Sequence, residues 1–192
     1  MKTLLLALSA IGMATAAQAH ITIFQGTFAP EAVGATGSGS LVLEYDADAH
    51  TLNIAATFAG LSGITNNAHI HCCTAAPRTG TAGVALAQAG LLPGFPLGVT
   101  SGSYTRVIDL TQADQYGGAF LTGSGGIVAG AEARLIANLA SGNAYFNIHT
   151  SPTFTGGEIR AFVTAVPEPQ TYALMLAGLG VLGWAARRRQ AG

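Results

Sequence analysis

The stretch SLVLEYDADAHTLNIAATF, residues 40–58, decides the fold. Ser40–Tyr45 and Thr51–Phe58 read as two strands, and Asp46-Ala47-Asp48-Ala49 between them reads as a turn. A hairpin is therefore expected over 40–58. Upstream, Ile21–Phe28 (ITIFQGTF) alternates and reads as the first strand. Downstream, strands are expected at Ala68–Cys72, Ser103–Leu110, Ala144–His149 and Glu158–Thr164, the last two joined through Ser151–Gly157. Short strands separated by glycine and polar turns indicate an all-β protein. The expected architecture is an antiparallel β-sandwich, Greek-key and immunoglobulin-like or superoxide-dismutase-like.

Two segments depart from the strand pattern. Thr74–Thr100 is rich in Gly, Pro and Ala and is expected to be a long crossing loop with little regular structure. Loops of that length usually carry a function or are mobile. Ala129–Ala140 (AGAEARLIANLA) has apolar residues at helical spacing and stops before Gly142, so one short amphipathic helix with a glycine cap is expected. Thr111–Tyr116 suits a short helical turn, and Ser124-Gly125-Gly126 is a glycine-rich turn.

The ends read differently. In residues 1–19, Lys2 precedes the mostly apolar Thr3–Met13, and Ala17-Gln18-Ala19 is a small-x-small cleavage site. That order is a signal peptide, removed by signal peptidase. At the other end, Thr171–Ala186 is uncharged and apolar, and Arg187, Arg188 and Arg189 follow. Its 16 residues fall short of the roughly 20 that span a bilayer. As a hydrophobic helix it would leave the arginines in the cytoplasm and the rest of the chain outside. Residues 20–165 are then one domain of ordinary size. Charged residues make up 9% of the chain and the net charge is −1. Scattered Arg and Lys give nucleic-acid binding no support. There are no internal repeats.

Val166-Pro167-Glu168-Pro169, an apolar stretch and a terminal arginine cluster resemble a PEP-CTERM sorting signal over residues 166–192. In that family, Pro167, Glu168 and Pro169 would be the recognition element for an exosortase. The resemblance implies a Gram-negative host that makes exopolysaccharide. It also implies transient anchoring in the inner membrane by a transmembrane helix, followed by sorting to the cell surface or the extracellular matrix.

Within 20–165, four motifs occur in order: Gly60-Leu61-Ser62-Gly63, Ala68-His69-Ile70-His71, Tyr145-Phe146-Asn147-Ile148-His149-Thr150 and Gly157-Glu158-Ile159-Arg160. Together they resemble the CHRD domain, named for chordin and common in exported bacterial proteins. The family's biochemistry is poorly defined, so the resemblance carries no activity with it. Cys72-Cys73 replaces the usual small residue after the His-x-His, and Ala161 replaces a glycine.

Side chains alternate across a strand, so His69 and His71 share one face, as do Asn147 and His149, and Glu158 and Arg160. If the three strands are neighbours, these six residues form one patch. Two readings of it stay open. Three imidazoles can bind copper or zinc. Alternatively they form a polar network with Asn147, Glu158, Arg160 and backbone carbonyls. His50 is expected to be a solvated turn residue. Cleavage after Ala19 would leave His20 at the mature N-terminus, where a free amine beside an imidazole can chelate copper. The sequence places no second histidine beside it.

Cys72 and Cys73 sit in an exported chain, where oxidising conditions favour disulfides. Their adjacency makes a vicinal bond, free thiols, a cross-link between chains and a share in a metal site all open readings. No nucleophile motif, phosphate loop or catalytic carboxylate pair is present. The expected function is non-enzymatic binding or structural work at the cell surface or in the matrix, with polysaccharide as a candidate partner. The alternative is a secreted metalloprotein using His69, His71 and His149 for redox chemistry or metal buffering.

Overall fold

The computed structural model describes residues 20–167 together with 176–182, 184, 186 and 187. Eight strands carry the fold: β1 Ile21–Pro30, β2 Ser38–Asp46, β3 Thr51–Ala59, β4 Ile64–Cys72, β5 Val84–Leu86, β6 Gly102–Asp109, β7 Ala144–Ser151 and β8 Ile159–Val166. A 3-10 turn at Ala113–Gln115 and two helices, α1 Gly118–Gly123 and α2 Val128–Ser141, lie between β6 and β7. The sheet order is β5-β4-β7-β8-β1-β2-β3-β6, and every ladder is antiparallel. β8 pairs with β1 on one side and β7 on the other, so the all-β chain forms one continuous sheet. The sheet curls round a single core.

The expected hairpin is β2–β3, in register from Ser38↔Ala59 to Asp46↔Thr51. Its inward residues Leu41, Leu43, Leu52, Ile54 and Phe58 are buried, while Ser40, Glu44 and Thr57 are exposed. Each buried Leu, Ile or Phe contributes roughly 1.5–3 kcal/mol relative to exposure. The two halves of the sheet meet through aromatic rings. Phe28 of β1 packs edge-on against Phe146 of β7 at 5.5 Å. Phe95, from the long 74–100 segment, stacks on Phe58 at 5.6 Å and also lies against Phe146.

That segment is more regular than its composition suggests. It contains β5, which extends the sheet beside β4 with Ile70↔Leu86 and His71↔Val84. The strand is Val84-Ala85-Leu86, too short to show a period. α2 is the expected amphipathic helix, burying Ala131, Leu135 and Leu139, with Gly142 at φ 76 as its left-handed cap. Only glycine takes that conformation freely. α1 is not foreshadowed by any pattern, since six residues with glycine at both ends hold no readable period. Phe120 anchors it, with the Arg134 guanidinium 4.8 Å from the ring.

Glu132 is the polar residue on the buried face of α2. It accepts from Tyr45 Oη at 2.8 Å and from His50 Nδ1 at 2.9 Å. His50 is exposed in the turn, as expected, and it also makes a contact the sequence did not foreshadow. It sits at φ 53 and ties the β2–β3 turn to α2. The hydrogen bond to Glu132, and then that carboxylate's charge, raise the His50 pKa.

The signal peptide, Glu168, Pro169, Arg188 and Arg189 lie outside the described residues. Pro167 and Arg187 are exposed, as are the helical side chains of Leu176, Leu179, Leu182 and Trp184. Among the described residues no helix is long and apolar enough to cross a membrane. The expected transmembrane helix is not found among the described residues, and residues 168–175, 183 and 185 of that tail lie outside them.

Candidate metal centre

β4 and β7 are neighbours, with His69 opposite Asn147, His71 opposite Tyr145 and His149 opposite Asn67. Alternation sends Ile70, Phe146 and Ile148 into the core. His69, His71 and His149 converge on the other face. One ring nitrogen from each lies within 4.8 Å of the others, and His69 Nδ1 is 3.0 Å from His149 Nε2. His69 and His149 are buried and His71 is half-buried.

The outer nitrogens fix the proton on each ring. His69 Nε2 donates to Gly90 O at 2.6 Å. His71 Nδ1 donates to Ala82 O at 2.9 Å. His149 Nδ1 donates to Thr155 O at 2.8 Å. A carbonyl can only accept, so each neutral ring spends its single proton outward. The inward atoms, His69 Nδ1, His71 Nε2 and His149 Nε2, are then three lone pairs with no proton among them. His71 Nε2 is buried without a hydrogen-bond partner. The 3.0 Å approach of His69 to His149 sets acceptor against acceptor unless a cation or an extra proton lies between them.

An extra proton is disfavoured. Burial pushes all three imidazoles below the usual histidine range, against the opposing pull of their carbonyl partners. His71 is pushed down to about 4. All three rings are therefore neutral at neutral pH, the state that ligates metal. Outward bonds of this kind also orient ligating rings and raise their basicity.

Around the trio lies a second layer. The Tyr145 ring stacks on His71, with centroids 4.9 Å apart and planes 3° from parallel. Tyr145 Oη accepts from Ala82 N–H at 3.3 Å, the residue whose carbonyl holds His71. Asn147 donates through Nδ2 to the Glu31 carboxylate, and its Oδ1 is buried without a partner. Arg160, opposite Asn147 on β8, donates to Gly80 O at 2.7 Å and approaches Glu31 Oε1 at 3.5 Å. Its guanidinium lies over the Tyr145 and Phe162 rings. Burial raises the Glu31 pKa, against the Arg160 charge and the Asn147 hydrogen bond.

Glu158 is the expected member of the patch that lies elsewhere. β8 begins at Ile159, and Gly157 at φ 132 turns the chain just before it. Strand alternation therefore does not reach residue 158. Its fully buried carboxylate accepts from Ser62 N–H at 2.6 Å, Ser62 Oγ at 2.7 Å, and Thr36 N–H and Gly63 N–H, both at 3.3 Å. Thr150 Oγ1 donates as well. Burial alone would raise the carboxyl, but the Ser62, Thr150 and Gly63 donors together hold it below its ordinary range. Cys72 and Cys73 are joined as a disulfide, so neither is a thiolate available to the histidines.

Several partners have no signature in the sequence. Ala82, Gly90 and Thr155 act through backbone carbonyls, which any residue supplies. Tyr145 and Glu31 are ordinary residues until the pairing of β4, β7 and β8 sets them beside the trio. The one sequence signal was the length of the 74–100 segment, which supplies both the Ala82 and the Gly90 carbonyls.

No curated protein and no solved structure matches the chain. A family model for the PEP-CTERM protein-sorting motif matches residues 165–189, which marks an exported protein of a Gram-negative bacterium that is anchored in the membrane for sorting and processed by an exosortase. A family model for the CHRD domain matches residues 18–163, which cover β1 to β7, the first residues of β8 and the three converging histidines, and the chain belongs to the CHRD family.

Proposed function

We propose that this exported CHRD domain is a non-enzymatic, metal-binding module that works outside the cell. Its ion would be copper or zinc, held by His69 Nδ1, His71 Nε2 and His149 Nε2. One observation carries the reading: three imidazoles, two buried and one half-buried, spend every available proton on outer carbonyls and turn three bare lone pairs toward one another. Imidazole nitrogen suits both ions. Three protein ligands leave a fourth position for an outside group, and a bound ion would polarise whatever occupies it.

The test is metal content. The exported chain is exposed to zinc and, separately, to copper, desalted and assayed for metal per chain beside His69→Ala/His71→Ala. One retained zinc, lost in the variant, supports the site. A folded wild-type chain that keeps no zinc and no copper refutes it.

A role in the extracellular matrix has separate support on the outer face of the sheet. Thr27, Ser40, Thr57 and Ser103 lie in register across β1, β2, β3 and β6, giving a row of four hydroxyl side chains. Such a surface can hydrogen-bond polysaccharide without charge. Co-sedimentation of the metal-free chain with the host's exopolysaccharide checks this, and no sedimentation above that of an unrelated exported domain counts against it.

A further inference from the structure

His20 precedes β1 by one residue and lies beside the β2–β3 turn. Its backbone nitrogen donates to Asp48 Oδ2 at 3.3 Å, and its Nδ1 lies 3.4 Å from Asp48 Oδ1. Both nitrogens thus face the same carboxylate, on the same side of the residue. The main chain holds them there. Ala47 N–H donates to His20 O at 3.2 Å, and Ile21 pairs with Asp46. The turn is itself fixed, because Asp46 Oδ1 accepts from the backbone N–H of Asp48 and of Ala49. His20 is therefore held one residue before β1, and Asp48 in a hydrogen-bonded turn between the paired strands β2 and β3.

The nature of the backbone nitrogen depends on processing. In the precursor it is a peptide nitrogen and cannot bind metal without losing its amide proton. Cleavage after Ala19 makes it a primary amine. The amine and Nδ1 of one histidine then close a six-membered chelate ring through Cα, Cβ and Cγ. The Asp48 carboxylate stands on the side where that chelate opens.

We propose that removal of the signal peptide creates a copper(II) site at the mature N-terminus, formed by the His20 amine, His20 Nδ1 and the Asp48 carboxylate. It rests on the cleavage reading and is independent of the three-histidine centre. Without metal, Asp48 pairs with the ammonium group. Binding of copper releases one proton from that group and leaves the carboxylate as an oxygen donor. Two nitrogens and one oxygen with open positions suit the tetragonal preference of copper(II), which also leads the divalent series in affinity for such donors. Both residues are exposed, with side chains 82% and 60% accessible, so copper reaches the site without opening the fold.

The test compares the exported chain with His20→Ala and Asp48→Asn, neither of which touches the core. Intact mass first establishes the mature N-terminus. Copper(II) is then titrated into each, with stoichiometry and the electron paramagnetic resonance spectrum as readouts. The wild-type chain is expected to bind one copper more than His20→Ala, with a spectrum showing two nitrogen donors. Losing the chelate should weaken that site about a hundredfold, and Asp48→Asn should weaken it about tenfold. The uncleaved precursor should behave as His20→Ala does. Equal copper in wild-type and His20→Ala overturns the proposal. A mature chain that starts at another residue overturns it at its premise, and the mass separates that failure from a failure to chelate. Zinc retention by His69, His71 and His149 is unaffected by either outcome.

Discussion

Replacing Glu158 with glutamine keeps the shape of the most heavily hydrogen-bonded side chain in the domain and removes its charge. The glutamine oxygen can keep the Oε1 partners, namely Ser62 N–H, Ser62 Oγ and Thr36 N–H. Its NH₂ group then takes the place of Oε2 and faces Gly63 N–H and Thr150 Oγ1. The Thr150 hydroxyl can turn and accept, but the Gly63 N–H cannot. An orphaned N–H costs about 1–3 kcal/mol when buried, and the part-buried Gly63 N–H falls at the lower end of that range. The two short Ser62 bonds become neutral, and charge-assisted bonds are about twice as strong as neutral ones. Release of a buried charge works the other way. The depressed Glu158 pKa shows that its donors outweigh burial, so the release does not compensate. The expected loss is about 3 kcal/mol, or about 6–12 °C in Tm for a chain of this size. Urea unfolding of the exported chain, followed by far-ultraviolet circular dichroism, measures it. The sign with pH is also fixed. The folded pKa is depressed, so this stabilisation is complete above the unfolded carboxyl pKa and disappears as pH falls through the lower, folded value. Glu158→Gln should lack this contribution, so its deficit against wild-type should shrink as pH falls through that window. A variant within about 0.5 kcal/mol of wild-type would place it among ordinary surface changes and refute the argument.

Zinc at a hundred times its Kd should stabilise the wild-type chain by about 2.7 kcal/mol, raising Tm by about 5–11 °C. His71→Ala should show no such shift in a thermal melt. The His50 pKa is raised by Glu132, so the contact stabilises fully below the unfolded histidine pKa and fades as pH rises through the folded one. His50→Asn tolerates the positive φ but cannot reach Glu132; its Tm deficit should shrink between pH 5.5 and pH 8.5, and a constant deficit would sink the idea. Gly157→Ala places a Cβ against Asn147 Nδ2 and Glu31 Oε2 at φ 132, and should cost about 2–4 kcal/mol in chemical unfolding.

Much of the fold was legible because alternation and turn residues are local signals. The strand expected at 40–45 is β2 with two residues added at the start and one at the end. The helix expected at 129–140 differs from α2 by one residue at each end. Elements without a period were not legible: α1 has six residues and β5 has three. The convergence of His69, His71 and His149 was stated only on condition that β4, β7 and β8 are neighbours, since period 2 sets faces but not partners. Glu158 shows the limit from the other side. Its parity with Arg160 is correct as arithmetic and misleading in space, because a positive-φ glycine one residue earlier ends the pattern that parity relies on.

The four motifs of the chain resolve into two devices. Gly60-Leu61-Ser62-Gly63 and Gly157-Glu158-Ile159-Arg160 form a clamp, in which the second motif supplies the carboxylate and the first supplies the N–H groups that close on it. Gly63 must be glycine for this fit, because a Cβ there would meet Ser151 O at 2.7 Å. Ala68-His69-Ile70-His71 and Tyr145–Thr150 form the histidine centre. The two are joined at a single peptide unit. Thr150 donates to Glu158 on one face of β7 while His149, its neighbour, turns to the other face. The clamp also sets where β4 begins, one residue after Gly63. Loosening it should therefore disturb the register that brings His69 opposite Asn147. On this argument Glu158→Gln weakens zinc retention although Glu158 touches none of the three histidines, whereas a core substitution of equal cost far from β4 and β7, such as Leu52→Ala, leaves retention intact in the fraction that stays folded. Equal loss of zinc in both would mean that the clamp serves stability alone.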